Sequence, residues 1–176
     1  GVEKMPFPYL LDPLAKLAVD LGGMSGSLGS SNTLHNFKAD GVNVRPLICY
    51  ESIYGEMNFT NSDLIAIITN DGWWGDTPGY KQHLMFSVLR SIETRRSVAR
   101  AANTGVSAFI NQRGDITEQT DYWAPAVIKA TLNANYKMTY YTINGDYIAR
   151  GAAFISSLLI LISFTKAFLK KRKSLV

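Results

Sequence analysis

The sequence predicts a mixed α/β domain followed by an apolar C-terminal helix. Apolar runs of strand length alternate with a stretch of helical spacing, which is typical of a mixed α/β sheet. Residues 151–165 carry no charge, which predicts the apolar helix. The 176 residues are 47% hydrophobic and 18% charged, so the chain can build one domain core, and this composition excludes a disordered chain.

Two apolar strands are predicted in the first half of the chain. Residues 42–49 (VNVRPLIC) form a short apolar run, and residues 63–69 (DLIAIIT) form a nearly continuous one. Continuous apolar runs are typical of parallel strands that are buried on both faces. A helix is predicted between them, over residues 52–59.

A longer helix is predicted over residues 82–100. Apolar residues recur there at helical spacing, and they are Leu84, Met85, Val88, Leu89 and Ile92. Charged residues fall largely on the other side, namely Arg90, Glu93, Arg95 and Arg96. This pattern predicts an amphipathic surface helix. Residues 105–111 and 115–120 then predict a β-hairpin, and residues 126–132 predict a later strand.

Basic charge is concentrated at the C-terminal end. Residues 1–149 contain 12 basic and 14 acidic residues, whereas residues 150–176 contain six basic residues and no acidic one. This distribution argues against a nucleic-acid-binding surface and favours an anionic partner of the tail, for which a membrane is the candidate.

The apolar C-terminal segment is long enough to span a bilayer. If Lys166 snorkels, residues 151–169 cover about 28 Å, close to the roughly 30 Å of a hydrocarbon core. The basic residues 170–173 predict that the C-terminus is cytoplasmic and that the body lies outside the cytoplasm. The alternative is a buried C-terminal helix with a solvated basic end.

Few residues of the chain suit a metal or a disulfide. The single Cys excludes an intrachain disulfide framework and a multi-cysteine metal site, and His35 and His83 are too far apart for a local metal motif, so we expect no cofactor. Residues 22–32 are rich in Gly and Ser, which predicts a mobile loop and a lid. The chain starts with Gly1 and shows no signal peptide, so we expect a fragment.

Cys49 is the candidate nucleophile. It ends the first apolar strand, where the start of a following helix favours the thiolate, and thiolate is the form that attacks acyl carbons. Glu51, two residues further on, is placed to orient a substrate amine or to take its proton. The alternative is that Cys49 is a small buried hydrophobe.

A second cluster of polar and aromatic residues follows the next strand, in residues 69–76 (TNDGWWGD). Because α/β folds place ligands at the ends of their strands, we expect Trp73 and Trp74 to wall an apolar pocket. The alternative is that both tryptophans are core or interface residues. Two such clusters in succession favour a functional site.

Six segments carry a resemblance to a known family, in order and spacing. They are residues 47–51 (LICYE), 69–76, 82–84 (QHL), Arg90, Glu93 and 100–108 (RAANTGVSA). They resemble the nitrilase-like domain of the bacterial apolipoprotein N-acyltransferase family, in the carbon-nitrogen hydrolase superfamily. The resemblance covers most of residues 1–169. It implies part of a nitrilase-like αββα sandwich at 1–147, a transmembrane helix at 148–169 and a basic cytoplasmic tail at 170–176.

The resemblance also implies an activity and its partners. The family transfers an acyl chain from a phospholipid, through a thioester on its Cys, to the α-amino group of the diacylglyceryl-cysteine of an apolipoprotein. The implied partners are these two lipids and the bilayer, without nucleic acid. The implied location is the bacterial inner membrane, with the catalytic domain in the periplasm. Carried over to this chain, the catalytic residues are Cys49, Glu51 and Glu3, and the substrate-binding residues are Tyr50, Asn70, Trp73 and Trp74.

The chain departs from the family in the rest of the catalytic set. Nitrilase-like enzymes use a Glu base and an oxyanion-stabilising Lys, which by the resemblance should precede Gly1. We expect Lys4 and Lys38 to be solvated instead, so the chain alone should be inactive and its full-length parent active. Two alternatives stay open: an amidase for a small soluble substrate, which leaves the C-terminal helix unexplained, and a membrane-anchored binding module in which Cys49 is structural.

Overall fold

A six-stranded sheet forms the centre of the fold in the computed structural model, which describes Ser31 and residues 33–173. The strands lie in chain order: β1 (Phe37–Ala39), β2 (Val42–Ile48), β3 (Leu64–Thr69), β4 (Val98–Ala102), β5 (Ala108–Ile110) and β6 (Ile116–Gln119). The helices are α1 (Pro78–Thr94), α2 (Tyr140–Asn144) and α3 (Tyr147–Lys173). The predicted mixed α/β class is confirmed.

The three central strands are parallel, and both predicted apolar strands are among them. β2 pairs with β3, and β3 with β4, in parallel, whereas the other neighbours are antiparallel. Ile48 is the register partner of Ile68, so β2 and β3 end at the same edge of the sheet. This register brings the chain segments that follow the two strands next to each other.

The core lies between the sheet and α1. Its buried strand residues are Leu47, Ile65, Ile67, Val98, Ala108 and Ile110, and α1 contributes Leu84 and Val88. Alternate residues point to the other face, where Ile48 and Ile68 are more than half exposed. The described residues therefore form one sheet with a helical cover on one face, which is half of the predicted sandwich.

The predicted helix over residues 52–59 is wrong. Two short 3-10 helices occupy this region, Cys49–Ser52 and Gly55–Asn58. A Cβ atom at Gly55 would lie 2.8 Å from Arg90 Nη1 and from Tyr141 Oη, so the backbone passes very close to other elements here. Tertiary packing against this segment favours tight turns over a continuous helix.

The predicted bounds of the long helix are also wrong. α1 begins at Pro78, where Thr77 accepts a hydrogen bond from the backbone N–H of Gly79 as a cap, and proline suits the first helical position. It ends at Thr94 because Arg95 has a left-handed φ of +54°. The residues that follow form β4, beside β3, instead of the last turn of a helix.

The buried face of α1 differs from the predicted one. Leu84 and Val88 face the core as expected, but three other apolar residues are 56, 40 and 39% exposed, namely Met85, Leu89 and Ile92. Arg90 is buried instead and pairs with Glu93. Arg96, which lies beyond the end of α1, is also buried, and its guanidinium donates to the Ser62 carbonyl. Burial of polar groups is tolerated where they find partners, so apolar spacing alone did not identify the buried face.

The predicted hairpin is confirmed, and the predicted later strand is wrong. β5 and β6 pair antiparallel across the turn at residues 111–115. Residues 126–132 have no regular secondary structure. The chain that follows them is held by side chains, because Ser97 Oγ donates to the Asn133 carbonyl at 2.9 Å and Asn135 Nδ2 donates to the Arg95 carbonyl at 2.7 Å.

The C-terminal helix α3 leaves its side chains accessible. Among the described residues it is the one helix long and apolar enough to cross a membrane, over Tyr147–Lys166. These 20 residues measure about 30 Å along the axis. Phe154 in the middle of this stretch is 71% exposed, so the alternative of a helix buried against the body does not agree with the structure.

Candidate active site

Cys49 lies at a sharp turn where β2 ends and a 3-10 helix begins. Its φ is +50°, a left-handed conformation that non-glycine residues rarely adopt and that costs about 1–3 kcal/mol. The residue is half-buried, and its backbone carbonyl accepts a hydrogen bond from Ser52 Oγ at 2.7 Å. A strained residue that is held in place at the end of a parallel strand is typical of a functional site.

Glu51 stabilises this elbow through the backbone. Its Oε2 accepts the backbone N–H of Ile48 at 2.8 Å, one residue before the nucleophile candidate. The carboxylate also acts on Arg45: burial lowers the pKa of Arg45, and the charge of Glu51 opposes that shift. The structure thus places Glu51 beside the elbow, and its role in proton transfer stays a prediction.

An aromatic cluster lies next to the elbow. The ring centroid of Trp74 is 5.8 Å from that of Tyr50 and 5.1 Å from that of His83. Trp73, by contrast, is 66% exposed. Asn70 caps the 3-10 helix Asp71–Trp74, because its Oδ1 accepts the Gly72 N–H at 3.0 Å. The structure therefore brings Tyr50 and Trp74 together, while the substrate-binding roles of these residues stay predictions.

Several predicted residues lie outside the described part of the chain. These are Glu3, Lys4 and all of the predicted lid at 22–32 except Ser31. Lys38 is described, and it is exposed on β1.

A buried chain of hydrogen bonds below Cys49 was missed by the sequence analysis. We call it the buried relay, and it consists of Ser52, His83, Asp71 and Arg100. His83 Nε2 lies 3.0 Å from Ser52 Oγ, and His83 Nδ1 lies 2.9 Å from Asp71 Oδ1. Arg100 Nη2 donates to Asp71 Oδ2 at 2.5 Å. All four residues are buried, so the relay is shielded from water.

The charges of the relay are mutually compensating. Burial alone would raise the pKa of Asp71, but the hydrogen bond with His83 and the charge of Arg100 outweigh it and lower this pKa. Burial lowers the pKa of Arg100, against the opposing charges of Asp71 and Cys49. The relay therefore contains a true buried ion pair beside the elbow.

The sequence contains a signal for the relay in the polar residues of α1. His83, Ser87 and Ser91 recur every fourth residue and are all buried, and the first two contact the relay residues Asp71 and Arg100, respectively. The sequence analysis considered His83 as a metal ligand and included it in a segment of the family resemblance, but assigned it no role in the site. Among the described residues, no group of three or more His, Cys, Asp and Glu side chains is arranged to hold a metal.

Comparison with known proteins identifies a family and relatives that match most of the chain. The family described as "Carbon-nitrogen hydrolase" matches residues 10–140. The apolipoprotein N-acyltransferase of Chlorobaculum tepidum is 32% identical over 169 residues, which covers 92% of this chain and 32% of the relative. That of Agrobacterium fabrum is 45% identical over 102 residues, covering 55% of this chain and 19% of the relative.

Among solved structures, a mutant of the Nesterenkonia AN1 amidase from the nitrilase superfamily is similar to this chain. The TM-score is 0.48 and the identity 15%, covering 56% of this chain and 41% of the amidase. The chain spans about a third of the length of the acyltransferases from Chlorobaculum tepidum, Nitrosomonas europaea and Photobacterium profundum.

Proposed function

The chain belongs to the carbon-nitrogen hydrolase family, and from this premise we propose that the full-length protein is an apolipoprotein N-acyltransferase. It transfers an acyl chain from a phospholipid to the N-terminal amine of a diacylglyceryl-cysteine apolipoprotein. Relatives that bear this name, 32–45% identical to the chain, support the proposal over an amidase for small soluble substrates.

The position of Cys49 is the observation that carries the proposal. The residue is half-buried at a strained elbow, at the edge where β2 and β3 end together. Apolar side chains with exposed fractions between 39 and 66% lie on the segments that follow these strands, and they include Tyr50, Tyr54 and Trp73. A surface of this kind suits an acyl chain better than a small polar amide.

The first half of the reaction acylates Cys49. The thiolate attacks the ester carbonyl carbon of the phospholipid, so a C–S bond forms and the carbonyl oxygen becomes an oxyanion. The oxyanion collapses, the C–O bond to glycerol breaks, and the lysophospholipid leaves with the proton that the base took from the Cys49 thiol. The Lys that stabilises the oxyanion and the base Glu are expected in the part of the parent that precedes Gly1.

The second half transfers the acyl chain to the amine. The apolipoprotein amine attacks the thioester carbon, an amide C–N bond forms, the C–S bond breaks and Cys49 returns as thiolate. The surplus proton of the amine goes to the base. Glu51 and Glu3 are the acidic residues proposed to assist, and Tyr50, Asn70, Trp73 and Trp74 are proposed to bind the substrates.

The membrane arrangement is part of the proposal. Residues 1–147 form part of the catalytic domain in the periplasm, residues 148–169 cross the inner membrane, and residues 170–176 are a cytoplasmic tail. The length of the apolar stretch in α3 and the basic residues at its end support this arrangement. Because both substrates lie in the same bilayer, anchoring the domain there raises their effective concentration at the site.

The deciding experiment looks for the acyl-enzyme. Full-length protein in phospholipid vesicles is digested, and the peptide that contains Cys49 is analysed by mass spectrometry. We expect the mass of one acyl chain on that peptide, removal of the acyl group by an acceptor peptide with an N-terminal diacylglyceryl-cysteine, and no adduct in Cys49→Ala. Hydrolysis of a soluble aliphatic amide without any lipid adduct would establish the amidase alternative. A Cys49→Ala variant that still acylates the acceptor would overturn the proposal.

A further inference from the structure

We infer that the buried relay of Ser52, His83, Asp71 and Arg100 is a set of positioning residues that holds Cys49 in its reactive conformation. The inference rests on the proposed function only in that it takes Cys49 as the nucleophile. Each of the four residues is buried, so none is exposed to a lipid substrate. They act through the backbone carbonyl of Cys49.

Two relay side chains meet at that carbonyl. Ser52 Oγ donates to the Cys49 oxygen at 2.7 Å, and His83 Nε2 lies 3.2 Å from the same oxygen. The Ser52 hydrogen bond restrains the peptide plane that follows Cys49, and the His83 ring packs against the same oxygen. A φ of +50° at a cysteine persists only when its surroundings impose it, and the Ser52 hydrogen bond, backed by the buried His83 ring, supplies such a constraint.

The rest of the relay fixes the imidazole of His83. A carboxylate only accepts hydrogen bonds, so His83 Nδ1 carries the proton and donates it to Asp71 Oδ1. Asp71 is held in turn by Thr69 Oγ1 at 3.0 Å and by Arg100. The relay thus joins the elbow after β2, the turn after β3, the helix α1 and the strand β4 into one rigid unit.

The order of contacts from Ser52 through His83 to Asp71 matches that of a Ser-His-Asp hydrolase. Ser52 is nevertheless not a nucleophile, because it is 0% exposed and its hydroxyl proton is donated to the Cys49 carbonyl. The covalent chemistry therefore belongs to Cys49, and the relay supports it from inside the protein.

The test compares two buried serine hydroxyls in the full-length protein. Ser52→Ala removes the contact with the Cys49 carbonyl. Ser91→Ala is the matched control, because Ser91 is equally buried and its Oγ donates to the Val88 carbonyl within α1, away from the relay. Two readouts are taken: kcat and KM for acyl transfer, and the rate at which iodoacetamide alkylates Cys49, followed on its peptide by mass spectrometry.

For Ser52→Ala we expect kcat to fall about tenfold or more with KM within about twofold, because the nucleophile is misdirected while the substrate surface is intact. Alkylation of Cys49 should slow in parallel. Ser91→Ala should leave kcat and the alkylation rate of Cys49 within about twofold of wild type, and its melting temperature should be similar. His83→Gln, which keeps a hydrogen-bonding group, should retain more activity than His83→Ala.

Wild-type kcat and alkylation rate in Ser52→Ala would overturn the inference, as would equal losses in Ser52→Ala and Ser91→Ala. If Ser52→Ala does not fold, kcat and the alkylation rate are compared between His83→Gln and His83→Ala instead. Equal values in these two variants would overturn the inference that the relay positions Cys49. The alkylation readout needs no lipid substrate, so it tests the relay even if no phospholipid acylation is found.

Discussion

Removal of the Asp71 carboxylate should destabilise the domain strongly. In Asp71→Ala, Arg100 keeps its hydrogen bonds to the Val106 carbonyl at 3.1 Å and to Ser87 Oγ at 3.2 Å, but it loses the carboxylate that neutralises its charge. Deleting one partner of a buried ion pair costs about 3–5 kcal/mol. For a domain of this size we expect the melting temperature to fall by about 6–20 °C.

The measurement is thermal unfolding of the full-length protein in detergent, followed by tryptophan fluorescence. Asp115→Ala is the matched control, because Asp115 pairs with Arg113 at 2.9 Å on the surface, where both side chains are more than half exposed. An exposed pair contributes little, so the control should melt within about 1 °C of wild type. Equal shifts in the two variants would refute the argument that Asp71 is the counter-charge of a buried cation.

Three further outcomes are expected. The pKa of Asp71 is lowered in the folded protein, so the stability that the carboxylate contributes is complete above its unfolded pKa of about 3.9 and is lost as pH falls through the folded pKa. The difference in melting temperature between wild type and Asp71→Ala should therefore stay constant from pH 8 to about 5 and shrink only below about 4. Gly105→Ala places a Cβ against the Asp71 carboxylate and should lower the free energy of unfolding by about 1–3 kcal/mol, whereas Gly151→Ala, with open space around it, should change it by nothing measurable. Equal melting temperatures in the two variants would contradict the packing around Asp71. Glu51→Gln keeps an acceptor oxygen for the elbow, so the melting temperature should change by no more than about 2 °C. It loses the carboxylate that is proposed to take a proton, so the proposed acyl transfer should slow, and an unfolded variant would instead show a purely structural role.

The strands were predictable because their signal is local. Continuous apolar runs predicted β2 and β3 to within one residue at each end. Parallel strands end at a common edge, so the placement of Cys49 and of the segment after β3 at that edge followed from the same pattern. The apolar stretch of α3 was predictable for the same reason, since its length and composition are read directly from consecutive residues.

The face that α1 buries was not predictable from spacing, because both of its sides contain apolar residues. Arg90 is 4% exposed while Met85 is 56% exposed, the reverse of what their hydrophobicity suggests. What decides between the two sides is the set of hydrogen-bond partners that the polar side chains meet. His83 and Ser87 meet Asp71 and Arg100, which belong to other elements and are absent from any local pattern. Arg90, by contrast, pairs with Glu93 within α1 itself.

The amino-acid sequence by itself determined the central strands, the accessible apolar helix and the cysteine that ends the first of those strands, because each depends on residues that are neighbours along the chain. Only the tertiary structure decided how that cysteine is held. His83 meets Ser52 from 31 residues away, and Arg100 meets Asp71 from 29 residues away. Buried polar groups are stable only where partners of matching charge and geometry converge, and that convergence exists only after the strands and α1 have packed together.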